Sequence, residues 1–127
     1  MTERPTTAYK VLTSEEMETL ERDGVFQGAP VDLADGFIHL STASQTPATA
    51  ERFFEKESLI FLVKIDREKL EAGPGELKWE DSKSHGVFAH LYGADIEESA
   101  VLHTYDFEKV EGENWGQVLK SGDEWKA

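Results

Sequence analysis

Apolar residues along this chain fall in short runs set apart by glycine, proline and acidic turns. Ala8–Leu12 carries Tyr9, Val11 and Leu12 and predicts a first strand. Thr13 opens a helix, because Glu16 three residues on completes a capping box, and Gly24 ends it. Met17, Leu20 and Val25 mark its inward side. Gln27–Gly36 reads as turns, Phe37–Leu40 as a strand, and Ser41–Thr46 as a polar connection. Thr46 followed by Pro47 predicts an N-cap and a helix whose apolar stripe is Ala50, Phe53 and Phe54. Leu59–Ile65 is the most hydrophobic run and predicts a central strand. Asp66–Ala72 fits a short helix or turn, broken by Gly73-Pro74-Gly75. Leu77–Glu80, Val87–Leu91 and Ala100–Phe107 are further strands, and Trp115, Val118, Leu119 and Trp125 suggest a last amphipathic helix. Two early helices, later strands and no regular βαβ alternation predict an α+β fold with a largely antiparallel sheet.

Length sets the scale of that fold. At 127 residues the chain is expected to be a single domain over 1–127, able to bury roughly two-thirds of its unfolded surface. No repeat, linker or low-complexity segment divides it. Cysteine is absent, which removes disulfides, thiolate metal sites and a cysteine nucleophile. No apolar run reaches a membrane span and no signal-like stretch opens the chain, so a cytoplasmic protein that binds no membrane is expected. There are 26 acidic against 13 basic residues, a net charge of −13. Without a Lys/Arg cluster, that charge repels polyanions and argues against nucleic-acid binding.

The chemistry concentrates in an internal echo. Phe37-Ile38-His39-Leu40 and Phe88-Ala89-His90-Leu91 share the form Phe-x-His-Leu. Alternation puts Phe37, His39 and Ser41 on one strand face, and Phe88, His90 and Tyr92 on one face of the other. If the two strands are neighbours, His39, Ser41, His90 and Tyr92 line one cleft, with imidazoles suited to acid–base work. If they are not, the histidines are structural. Trp79-Glu80 forms another cluster. Tryptophan can stack on a planar ligand and glutamate can stabilise a developing cation, although alternation also allows a core Trp79 beside a surface Glu80. His39, His85, His90 and His103 lack metal-ligand spacing, so no metal is expected. No G-x-S-x-G elbow, Walker loop or G-x-G-x-x-G is present.

Several of these residues carry a resemblance. Tyr9-Lys10-Val11, the run from Asp35 through Gly-Phe-Ile-His-Leu-Ser to Thr42 with Gln45 and Thr49-Ala50, then Trp79-Glu80 and Phe88-x-His90-Leu91-Tyr92-Gly93, resemble a small bacterial family catalogued as a domain of unknown function, number nine hundred and fifty-two. The likeness covers about residues 8–105 and leaves 106–127 as an extension. This chain has Ala89 where the family often has proline, and Lys83 where it often has arginine. The resemblance implies an ADP-ribosyltransferase-like fold, a split, largely antiparallel sheet that grips NAD between its halves in the active relatives. It implies a pocket for NAD or another ADP-ribose-type nucleotide. Ligand-binding residues would be His39, Ser41, Thr42, Trp79, Lys83, His90 and Tyr92, with Lys10 and Arg52 as further sources of positive charge. Glu80 and His39 would be catalytic if a nicotinamide–ribose bond is cleaved or ADP-ribose transferred. Ala43 stands where active relatives have the last serine of a Ser-Thr-Ser strand end, and the first strand offers Tyr9 and Lys10 in place of their Arg or His. A non-enzymatic binding or interaction module on the same fold is the alternative.

Overall fold

The computed structural model describes residues 6–82, 86–122 and 124–126. Strand β1 (Thr7–Leu12) leads into helix α1 (Ser14–Asp23) through the Thr13 cap. Thr13 accepts from the Glu16 amide and Glu16 accepts from the Thr13 amide, the capping box legible in the sequence. Then follow β2 (Val25–Phe26), α2 (Pro30–Asp35), β3 (Ile38–Leu40), α3 (Thr46–Phe53), β4 (Leu59–Asp66) and α4 (Arg67–Ala72). The remainder is β5 (Glu76–Asp81), β6 (Val87–Tyr92), β7 (Ile96–Glu97), β8 (Val101–Glu108) and α5 (Trp115–Ser121), with short 3₁₀ turns at Glu98–Ala100 and Glu124–Lys126. The fold is α+β, and every strand pair is antiparallel. No helix among the described residues is long and apolar enough to cross a membrane.

Two three-stranded sheets, ordered β1-β4-β8 and β3-β6-β5, make the frame, and β2 pairs with β7. A backbone bridge links the two larger sheets, where Tyr9 and Ser41 exchange hydrogen bonds of 2.8 and 2.9 Å. β4 is central in its sheet because its residues are apolar on both faces. One face, with Ala8, Leu12, Val63 and Ile65, packs on Ile38, Leu40, Ala89 and Leu91 of the second sheet and on Met17 and Leu20 of α1. The other, with Tyr9, Val11, Ile60 and Leu62, is covered by Ala50, Trp115, Leu119 and Trp125. The two indoles are anchored by donation to carbonyls, Trp115 Nε1 to Phe54 and Trp125 Nε1 to Leu119. The chain beyond residue 105 therefore builds a core rather than merely trailing from one.

Three expectations change. The stretch Gln27–Gly36 is not only turns: it holds α2, started by Pro30 at its first position and closed by left-handed Gly36 at φ 85°. Thr46 is not the cap of α3 but its buried first residue, because its hydroxyl donates to the Thr42 carbonyl and Gln45 takes the cap position. Phe53 does not join the α3 stripe. It is 65% exposed, since Ala50 and Phe54 already fill the side facing the second core.

These placements separate two apolar positions that look alike in sequence. Ile60→Ala should cost about 2–5 kcal/mol in urea unfolding, whereas Phe53→Ser should stay within about 0.5 kcal/mol.

Candidate functional site

The pairing of β3 with β6 sets His39 directly opposite His90, and β5 with β6 sets Lys78 opposite His90. Because Ile38, Leu40, Ala89 and Leu91 take the inner face, alternation sends both histidines to the outer one. Their rings lie 5.2 Å apart, edge to face. Phe37 follows Gly36 and lays its ring over the group, 4.2 Å from His90, 4.6 Å from His39 and 4.9 Å from Tyr92.

A carboxylate holds each imidazole. His90 Nδ1 is 2.7 Å from Glu80 Oε1, and the Tyr92 hydroxyl donates to the same oxygen at 2.6 Å. These two hydrogen bonds, Tyr92 first, draw the Glu80 carboxyl below its usual range. Glu80 in turn pushes the Tyr92 hydroxyl up to about 12. An ionised carboxylate can only accept, so Nδ1 of His90 carries the proton.

His39 is held more deeply. Its Nδ1 is 2.6 Å from Asp32 Oδ1, and its Nε2 lies 3.0 Å from Asp35 Oδ2. The Asp32 side chain is 1% exposed and meets four donors. Oδ1 takes the His39 ring and the His39 amide, and Oδ2 takes the Ala29 amide at 2.7 Å. The fourth, Lys10 Nζ, sits 2.9 Å from Oδ2 and also donates to the His39 carbonyl at 2.8 Å. Burial alone would raise the Asp32 pKa. The His39 hydrogen bond, the Lys10 ammonium and the two amides outweigh it and bring the value down to about 2. Burial also draws Lys10 below the ordinary lysine range, against the pull of Asp32.

The other expected residues lie as follows. Ser41 is buried at the junction of the sheets, its hydroxyl 3.3 Å from that of Thr49 on α3. The Thr42 amide donates to Gln45 Oε1, and Gln45 Nε2 reaches the Val87 carbonyl of β6 at 2.6 Å. Both residues thus fasten α3 to the sheets. Trp79 does not join the histidines: it alternates away from Lys78 and Glu80 and packs on the first core. Lys10 does not present a charge for a ligand, because Asp32 engages it in the interior. Arg52 lies over the ring of Phe53 on α3. His103 stacks beside Tyr105 on β8, in the other sheet. Lys83 and His85 lie outside the described residues. No group of three or more metal-ligating side chains occurs among the described residues.

Asp32 and Lys78 are site residues that motif reading missed, whereas Asp35 and Phe37 lie within the motif, Phe37 on the His39 face, without an assigned role. For Asp32 a signal existed: Pro30 followed two residues later by an acid reads as the first turn of a helix whose third position bonds back to the preceding amide. Reading 27–36 as turns hid it.

Comparison with known proteins agrees with this frame. Residues 11–104 match the profile of a family described as protein of unknown function (DUF952). The chain belongs to this family. It is similar to the crystal structure of protein CC0527 from Caulobacter crescentus, with 37% identity and a TM-score of 0.74 over 84% of this chain and 90% of that one. The solution NMR structure of CC0527 gives 33% identity and a TM-score of 0.75 over 94% and 98%. No curated protein matches.

The Asp32 clamp makes a pH-dependent contribution with a defined sign. A carboxyl whose pKa falls from 3.8 to about 2 on folding stabilises the protein fully above pH 5. That contribution, about 2 kcal/mol, should fade as pH drops toward 2. Asp32→Asn should cost about 3–5 kcal/mol at pH 7 because it strands Lys10, and the gap from wild type in urea unfolding should narrow at acid pH. A gap independent of pH would contradict the clamp.

Proposed function

We propose that the His39–His90 face binds a ligand of the nicotinamide–ribose type and cleaves its N-glycosidic bond, with Glu80 as the catalytic carboxylate. The observation that carries this reading is Glu80 Oε1 held by both His90 Nδ1 and the Tyr92 hydroxyl. Such a carboxylate is fixed, ionised and 39% exposed, so it can face a cationic centre without reorganising. The division of the strands into two sheets joined by the Tyr9–Ser41 bridge supports the ADP-ribosyltransferase-like assignment, in which the ligand lies at the split. That kinship of fold is an argument by analogy, and the residues carry the chemistry.

In the proposed step the bond between ribose C1′ and the pyridinium nitrogen breaks. Its electron pair goes to the ring, which leaves as neutral nicotinamide. Glu80 stabilises the oxocarbenium-like ribosyl centre left behind. Water then forms the new bond at C1′ and gives its proton to Nε2 of His90, whose tautomer Glu80 sets. Transfer to another acceptor follows the same course with that acceptor in place of water.

A second reading has its own observation. Both nitrogens of His39 face carboxylates, at 2.6 and 3.0 Å, and Phe37 covers the pair. That geometry suits a module that holds a ligand without turning it over.

Nicotinamide release from NAD and from nicotinamide riboside separates the two. The enzymatic reading expects release above the uncatalysed rate, and Glu80→Gln should lower it by about 10²–10³ while binding persists. Thermal protection by these ligands without any release would establish the binding module instead.

A further inference from the structure

Charge placement at this face carries the ligand assignment further. We infer that the site selects a cationic nucleoside without phosphates, an N-ribosyl pyridinium, over a dinucleotide. The inference rests on the nicotinamide–ribose reading and narrows it.

A pyrophosphate needs cations or free donors, and the described residues around the histidines offer few. Lys10 is a buried cation beside His39, but its ammonium is divided between Asp32 and the His39 carbonyl. Bringing it to a phosphate would leave Asp32, 1% exposed, without its counter-charge. Among the described residues, Lys78 is the other ammonium on this face. It stands 4.9 Å over the Tyr92 ring and 4.0 Å from Glu76, on the same side as Glu80.

Among the described residues that reach solvent at this face, carboxylates outnumber the ammonium: Asp35, Glu80 and Glu76 against Lys78, which is 46% exposed. Asp35 and Glu80 side chains are 46% and 39% exposed, one next to each histidine. The rings of Phe37 and Tyr92, 4.9 Å apart, adjoin the same histidines. Paired carboxylates and π-faces attract a flat cation and repel a phosphate dianion. A chain of net charge −13 adds long-range repulsion of the same sign. The ribosyl pyridinium therefore keeps the part of the ligand that this face can recognise and sheds the part that it repels.

Calorimetric titration with four probes tests this: nicotinamide riboside, its neutral 1,4-dihydro form, nicotinamide mononucleotide and NAD. The expected order puts the cationic riboside first, about tenfold or more tighter than NAD and than the dihydro form, with a preference that weakens as salt rises. Glu80→Gln should erase the preference for the cationic over the dihydro form, and its circular dichroism should match wild type because the substitution keeps side-chain size at a half-exposed position. NAD binding as tightly as the riboside, or tighter, overturns the charge inference and leaves the pocket reading standing. A cation preference unchanged in Glu80→Gln also overturns it. Binding of none of the four overturns the pocket reading itself.

Discussion

The Asp32 carboxylate is the pivot of this site. It is a buried charge, and a buried charge persists only where its desolvation is repaid by donors. Here four donors converge from three segments: Lys10 from β1, the Ala29 amide ahead of α2, and the ring and amide of His39 on β3. One side chain therefore joins the first sheet to the second and fixes the His39 ring relative to both. The Tyr9–Ser41 bridge makes the same connection one strand position away, through backbone alone. Together they locate β3, at its middle residue and just past its end, and the register of β3 on β6 then places His39 opposite His90.

The second carboxylate behaves differently because it stands in water. Glu80 gains its two donors from β6, the strand beside its own, and is held at the rim rather than in the interior. The pair of histidines thus has one deep anchor and one shallow one. His39 is suited to positioning, since its ring nitrogens are both occupied. His90 uses Nδ1 for Glu80, and Glu80 uses Oε1 for both of its donors, so the anchoring runs through one nitrogen and one oxygen.

Much of this was legible in the sequence, for reasons that are local. The capping box at Thr13 and Glu16, the Gly24 stop and the apolar Leu59–Ile65 run are short-range signals, and each corresponds to an element of the structure. The Phe-x-His-Leu echo showed which faces the histidines occupy, because alternation on a strand needs no tertiary information. What it could not show was adjacency. Strand order depends on which apolar faces bury one another, and that is decided by the whole chain. The same limit explains Trp79 and Lys10. The Trp79-Glu80 pair suggested two ligand contacts, but neighbours on a strand point apart, and the core took the indole. Lys10 suggested a source of positive charge for a ligand, yet its partner Asp32 is distant in sequence and lies inside a stretch that reads as turns. Phe53 and Phe54 are consecutive and equally apolar, and only the position of α5 determines which of them is covered.

The central claim is that carboxylates fix both imidazoles through Nδ1. Nitrogen-15 shifts of the histidine rings at neutral pH test it most directly, with assignments from His39→Gln and His90→Gln. The account requires Nδ1 of His39 and of His90 to be protonated, donating to Asp32 and Glu80. A bare Nδ1 on either ring, with the proton on Nε2 alone, would contradict it.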